Sequence, residues 1–223
     1  MNPMPLRRSP APRAFTLIEL LVVIAIIAIL MGLLFPALTK ITDRARQVQA
    51  HNDVLNIVAA VKHYQTEYGK YPMVAAVAQG GDALVGDADA KATIDNSALF
   101  DTLRAIDRGL NERHALNPRR IVFLEAKTAG DAAEPRAGFA DKAESKKRGS
   151  FYDPWGRQYG VVLDSDSDNK ITVAAQYGDF AGENAPRGGV GAFSMGKDGK
   201  LGTKGDALFR KGATISDDVI SWQ

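Results

Sequence analysis

From position 15 the chain turns apolar and stays so. Between Phe15 and Phe35 the polar residues are Thr16 and Glu19. A helix of about 20 such residues can cross the hydrocarbon of a bilayer. Beyond Pro36 the pattern changes rather than stops. Ile41, Ala45, Val48, Leu55 and Val58 recur at helical spacings, widened by Val54, Ile57, Val61, Tyr64 and Tyr68. These predict the apolar face of an amphipathic helix packed on a core. Asp43, Arg44, Arg46, Gln47, Asp53, Lys62 and Glu67 supply its polar side. Gly69 and then Pro72 end it. One continuous helix from Phe15 to Tyr68 would be roughly 80 Å long. Pro36 removes a backbone donor within it and is expected to bend or locally unwind it.

The rest of the chain alternates short periodic segments with Gly- and Asp-rich ones. Residues 73–95 read as a loop with short turns. Asn96 or Ser97 caps a predicted helix through Asp107, with Leu99, Phe100, Leu103 and Ile106 on its apolar side. Arg120–Leu124, Tyr159–Leu163 and Lys170–Gln176 have strand composition. Residues 127–149 are charged and Ala-rich, an exposed loop. Asp153-Pro154-Trp155-Gly156 is a turn. The fold class expected is α+β: a long N-terminal helix packed on a small antiparallel sheet, with a long C-terminal loop. The segments divide as 1–14, 15–36, 37–72, 73–149 and 150–223.

Composition narrows the function classes. The 223 residues carry 28 Lys and Arg against 26 Asp and Glu, a net charge of +2. That balance lacks the basic excess of a nucleic-acid binder, and no nucleic-acid partner is expected. There is no cysteine, which excludes disulfides, thiol nucleophiles and zinc–thiolate sites. His51, His63 and His114 are scattered and read as ordinary polar positions. No G-x-S-x-G, H-E-x-x-H or Walker loop is present, so neither an enzyme nor an organic cofactor is expected.

The N-terminus is the most specific feature. Residues 1–14, MNPMPLRRSPAPRA, hold three arginines and no acid. The arginines should stay cytoplasmic, with the remainder facing outward. In a secretory signal peptide the small-residue cleavage site follows the apolar run; here Ala14 precedes it. A cut there would retain the apolar segment. It would also leave 25 bases (28 less the three leader arginines) against 26 acids. Glu19 is costly inside a spanning helix, about 2.5–3.5 kcal/mol on insertion scales, and so marks a functional position. Ala14-Phe15-Thr16-Leu17-Ile18-Glu19, followed by LLVVIAIIAILMGLLFPAL, resembles the signal of type IV pilins and type II secretion pseudopilins. The resemblance implies cleavage between Ala14 and Phe15 by a prepilin peptidase, with N-methylation of Phe15. It also implies assembly through Phe15, Glu19 and Pro36 into a homo-oligomeric filament. The family usually has Gly before the cut, so Ala14 is a departure. In such a filament the freed amine of one Phe15 could approach Glu19 of a neighbour, so that two charges costly alone in hydrocarbon offset one another.

Two acidic loops invite a metal. Asp164-Ser165-Asp166-Ser167-Asp168-Asn169 begins like an EF-hand, but Asn169 and Ala175 stand where Gly and a bidentate Glu are wanted. It reads as a solvated hairpin turn. The tail segment from Ser194 to Asp206, with the Asp153–Gly156 turn and Asp217-Asp218, resembles the C-terminal region of major type II secretion pseudopilins. The family binds one Ca²⁺ there through carboxylates and carbonyls, which implies Asp198, Asp206, Asp217 and Asp218 as ligands. An extra stretch, ALFRKGATIS, separates Asp206 from the Asp pair and departs from the family pattern.

The function this implies is a structural subunit of a periplasmic pseudopilus supporting protein export. The alternative is a type IV pilin for adhesion, motility or DNA uptake. The implied partners are minor pseudopilins, the prepilin peptidase, an inner-membrane assembly platform with its ATPase, and membrane lipid before assembly. The implied location is the inner membrane, single-pass, with the C-terminal head in the periplasm.

Overall fold

The computed structural model describes residues 15–72, 82–145 and 147–223; the side chains of residues 33–37 lie outside the described set. The chain divides into two units, Met1–Arg44 and Ala45–Gln223. Helix α1 runs from Leu17 to Tyr68 without interruption. Helical hydrogen bonding therefore continues across position 36, and the unwinding expected at Pro36 is not seen.

In the first unit the large apolar side chains of α1 from Leu17 to Met31 are all exposed. Among the described residues no helix is long and apolar enough to cross a membrane. The apolar run with described side chains, Leu17–Gly32, rises about 24 Å at 1.5 Å per residue, short of the roughly 30 Å hydrocarbon. Residues 33–37, which would lengthen it, are those whose side chains fall outside the description.

In the second unit α1 buries Ala50, Val54, Ile57, Ala60, Val61 and Tyr64. That row of i, i+3 and i+4 neighbours is narrower than the stripe expected from sequence. Val48 and Leu55 are exposed in the single chain, because the head covers only one face; Ile41, in the first unit, is exposed as well. Polar anchors fix the helix end: Tyr68 Oη donates to Asn117 Oδ1 (2.6 Å), and Tyr64 Oη to the Leu116 carbonyl (2.5 Å).

The helix packs with a four-stranded antiparallel sheet in the order β1-β4-β5-β8. Its strands are β1 (Ala83–Val85), β4 (Gly160–Leu163), β5 (Val190–Ser194) and β8 (Val219–Ile220). The central register places Gly160 opposite Phe193 and Leu163 opposite Val190. A small ladder pairs β2 (Gly138–Phe139) with β3 (Phe151–Tyr152). A second pairs β6 (Arg210–Lys211) with β7 (Thr214–Ile215). One cluster, around Val54, Ile57, Tyr64, Phe100, Phe139 and Phe151, lies between α1 and the sheet. Another, around Tyr177, Phe193, Met195 and Phe209, takes in the tail. Asn96 is fully buried and ties the region together: its Nδ2 donates to the Phe151 and Tyr159 carbonyls (both 3.0 Å), and its Oδ1 accepts from Phe151 N (3.1 Å).

Several element assignments are corrected. Helix α2 is shorter than expected, Ser97–Leu103, because Ala105 turns to φ +55° and breaks the helical path before Ile106. Arg120–Leu124 forms no ladder; Phe123 N donates once, to the Leu103 carbonyl. Lys170–Gln176 makes a single bridge, Lys170 with Arg187, after which Gln176 N and Tyr177 N turn back onto the Val173 carbonyl. The partner of β4 is instead β5, and β1 arises within the stretch read as a loop. Residues 73–81 of that loop lie outside the described residues.

Candidate functional site

At the first candidate site, Ala14 and the rest of the leader lie outside the described residues, so the site begins at Phe15, which is exposed. Thr16 caps α1. Its N–H and its Oγ1–H both donate to Glu19 Oε2 (2.8 and 2.7 Å), and Glu19 N donates back to Thr16 Oγ1 (3.3 Å). This reciprocal arrangement is a capping box: a Thr at the helix start and a Glu three residues on satisfy each other's orphan groups. The carboxylate also sits at the positive end of the helix dipole. Thr16 was missed as a functional residue. Its signal, Ser or Thr then x-x-Glu before an apolar run, is legible in Thr16-Leu17-Ile18-Glu19. Glu19 is therefore held at the start of the helix, with one carboxylate oxygen engaged by Thr16.

The second site lies in the tail. After β5 the chain reverses through Gly196 (φ +63°), where a Cβ would lie 2.5 Å from the Asp217 carbonyl oxygen, so only glycine permits this approach. Gly202 (φ +74°) is equally confined, 2.4 Å from Leu208 N. These two close approaches bring Asp198, Asp217 and Asp218 together, each offering a carboxylate oxygen within 4.8 Å of the others. Asp217 Oδ2 accepts from Lys197 N and Asp198 N (2.7 and 3.1 Å). Asp218 Oδ2 accepts from Gly202 N (2.7 Å). Asp218 Oδ1 is buried. The buried Tyr177 hydroxyl lies beside Asp218 and faces its carboxyl as a donor. Burial pushes the Asp218 carboxyl up to about 7, with the neighbouring Asp217 charge adding to the rise.

A buried carboxylate faced by one hydroxyl and crowded by two further carboxylates is costly when ionised unless a cation completes it. Hard oxygen donors of this kind suit Ca²⁺. Asp206, the fourth residue implied by the resemblance, is not in the cluster. It is exposed and bound to Lys211 Nζ (3.0 Å), which holds its carboxyl below the usual value. The physical reason is the added stretch: it folds into the β6–β7 ribbon, and Asp206 serves the base of that ribbon.

The Asp153 turn supports the tail from beneath. Asp153 is fully buried. Its Oδ1 accepts from Trp155, Gly156 and Arg157 N–H groups (2.8–2.9 Å), and its Oδ2 from Ser194 Oγ (2.6 Å). Ser194 Oγ in turn accepts from Gly196 N (3.1 Å), so the turn fixes the point where β5 enters the tail loop.

The other acidic loop also gathers carboxylates, those of Asp82, Asp164 and Asp166. Here backbone amides are already in place. Asp164 accepts from Ser167 and Asn169 N–H groups (2.6 and 2.9 Å), and Asp82 from Ser165 (3.3 Å) and Thr172 (2.5 Å). The loop is not the expected hairpin turn, since β4 pairs with β5 rather than with 170–176, and Asp164 is buried within it.

The chain is thus an α+β body led by a long helix that Thr16 and Glu19 cap. Residues 11–35 match the prokaryotic N-terminal methylation motif. Over 78 residues the chain is 33% identical to the type II secretion system core protein G of Klebsiella michiganensis, covering 35% of this chain and 53% of that one. It is 38% identical over 71 residues to the core protein G of Pseudomonas aeruginosa, covering 32% and 48%. It is 37% identical over 65 residues to the type IV major pilin protein PilA of Myxococcus xanthus, covering 29% and 30%. The chain thus spans about half the length of the core G relatives and less of the pilin. No solved structure matches.

Proposed function

We propose that this chain is a structural, non-enzymatic pseudopilin. It is cut between Ala14 and Phe15, held in the inner membrane by the apolar half of α1, and assembled through that half into a periplasmic pseudopilus that supports protein export. The observation that carries this reading is the joining of the methylation motif, with Glu19 at its fifth mature position, to an uninterrupted α1 whose apolar side chains the single chain leaves exposed. Exposed apolar area of that extent calls for lipid or for neighbouring copies. Residues 33–37 complete the proposed span. Assembly exchanges the lipid around α1 for the helices of other copies, and the amine of an incoming Phe15 compensates Glu19.

The tail is proposed to hold one Ca²⁺ through Asp198, Asp217 and Asp218. The ion would supply positive charge to three crowded carboxylates and so lock the last strand, β8, against β5. A type IV pilin is the second reading, supported by the likeness to PilA. The tail resemblance and the larger share of core protein G covered favour the first.

The test is Glu19→Ala in the full chain, expressed with its peptidase and assembly machinery. Filament yield should collapse while the head keeps its native circular dichroism. Normal filament yield would remove Glu19 from assembly and the reading with it.

A further inference from the structure

We propose that Arg157, pinned by Asp89, is a positioning residue for the tail carboxylates: it braces their loop from outside and holds Asp198 within reach of Asp217 and Asp218. The inference rests on the Ca²⁺ reading above and extends it to two residues outside the ligand set. Of the three converging carboxylates, Asp218 is buried, Asp217 half-buried and Asp198 exposed. Packing therefore fixes Asp198 least, and the path of the loop is what places it. Lys197 N and Asp198 N donate to Asp217 Oδ2, and Lys200 N donates to Asp198 Oδ1 (2.8 Å). Between them Gly199 stands at φ +66°, a left-handed conformation that glycine adopts without strain. A guanidinium closes its outer side: a Cβ added at Gly199 would lie 2.8 Å from Arg157 Nε and 3.2 Å from its Nη2. The Arg157 side chain thus lies directly on the loop backbone next to Asp198.

Both ends of this brace are anchored. At its root, Arg157 N donates to Asp153 Oδ1 (2.9 Å) and the Arg157 carbonyl accepts from Asp153 N (2.8 Å), so the buried Asp153 turn sets where the side chain starts. At its tip, Nη1 donates to Asp89 Oδ2 (2.5 Å). Asp89 stands on a short 3₁₀ turn, Ala88–Ala90, which Asp87 caps by accepting from Ala90 N (3.1 Å) and which Ala90 roots in the core. Asp89, Arg157, Asp198 and Gly199 line one open cleft of about 390 Å³. Within it Arg157 forms its ion pair with Asp89 rather than with Asp198. That choice of partner matters. A bare guanidinium beside a divalent cation would repel it. Pairing with Asp89 offsets the charge and leaves the planar group to act as a wall. A pair this exposed adds little to stability, so its contribution lies in placing the loop. Groups that orient the ligands of a metal are typically worth about 10–100-fold in affinity.

The test is calorimetric titration of Ca²⁺ into the full chain in detergent micelles, with Tm in EDTA measured alongside. Arg157→Lys keeps the charge and loses the flat surface. Asp89→Ala/Arg157→Ala removes the pair without changing net charge. Both should bind Ca²⁺ about tenfold more weakly than the parent, with a metal-free Tm within about 3 °C of it. Equal affinity in either variant, or the tighter binding expected if Arg157 were only a repelling charge, would overturn the brace while leaving the Ca²⁺ site intact. A metal-free Tm lowered by more than that would overturn it too, by making the pair a part of the fold. If the parent itself takes up no Ca²⁺, the site fails and the brace fails with it.

Discussion

Asp218 gives a prediction in which one substitution raises metal-free stability and removes the response to metal. Its Oδ1 is buried, and burial pushes its carboxyl up to about 7 in the folded head. In the unfolded chain an Asp titrates near 3.9. Below both values the carboxyl is protonated in both states and contributes no difference. As pH rises between them the unfolded state ionises first and is favoured. Metal-free stability therefore falls by about 1.4 kcal/mol per pH unit and is on the order of 4 kcal/mol lower by pH 8. Asp218→Asn removes that loss and weakens the hydrogen bond from Gly202 N, by about 1 kcal/mol. In EDTA at pH 8 the variant should be more stable than the parent, by about 1–3 kcal/mol. With Ca²⁺ at a hundred times its dissociation constant the parent gains about 2.7 kcal/mol. That corresponds to about 5–10 °C in Tm for a head of this size. The variant should gain little. The assay is thermal unfolding of the Ala45–Gln223 unit at pH 5 and pH 8, in EDTA and in Ca²⁺. Two results would refute the reasoning: a variant less stable than the parent in EDTA at pH 8, or an equal Ca²⁺ response in both proteins.

Two further outcomes separate the roles of neighbouring groups. Asp206→Asn should leave the Ca²⁺-dependent rise in Tm unchanged, because Asp206 serves Lys211 and not the carboxylate cluster; a lost response by the same assay would return it to the ligand set. Asn96→Ala strips hydrogen bonds from the Phe151 and Tyr159 carbonyls and from Phe151 N–H. It should cost about 3 kcal/mol in urea unfolding; a loss below about 1 kcal/mol would deny it that bridging role.

What the sequence made legible follows from which interactions are local. The periodicity of α1 reads directly, since helix faces are set by spacings of three and four. Which of its apolar residues meet the head does not, because Leu55 and Val54 differ only in where the sheet lies. Strand β4 is plain in Tyr-Gly-Val-Val-Leu. Strand β5, Val-Gly-Ala-Phe-Ser, is buried along its whole length and so shows no alternation. Conversely, Ile-Val-Phe-Leu and Lys-Ile-Thr-Val have strand composition but find no partner ladder, since propensity reports a half-buried pleated surface rather than pairing. At the sites, Glu19 was visible from its cost in an apolar run. Its Thr16 partner is legible too, in the capping pattern Thr-x-x-Glu before the apolar run. Three of the four tail carboxylates converge; the fourth, Asp206, pairs with Lys211 instead, because linear proximity to Gly202-Thr203 does not reveal the inserted ribbon.

The central claim is that the apolar helix is retained and its start set free. Intact-mass and N-terminal sequencing of the protein purified from membranes of its own cells test it most directly. The account predicts a chain beginning at Phe15 with a methylated amine. A chain that keeps Met1 and its arginines, or one that begins after Phe35, would contradict it.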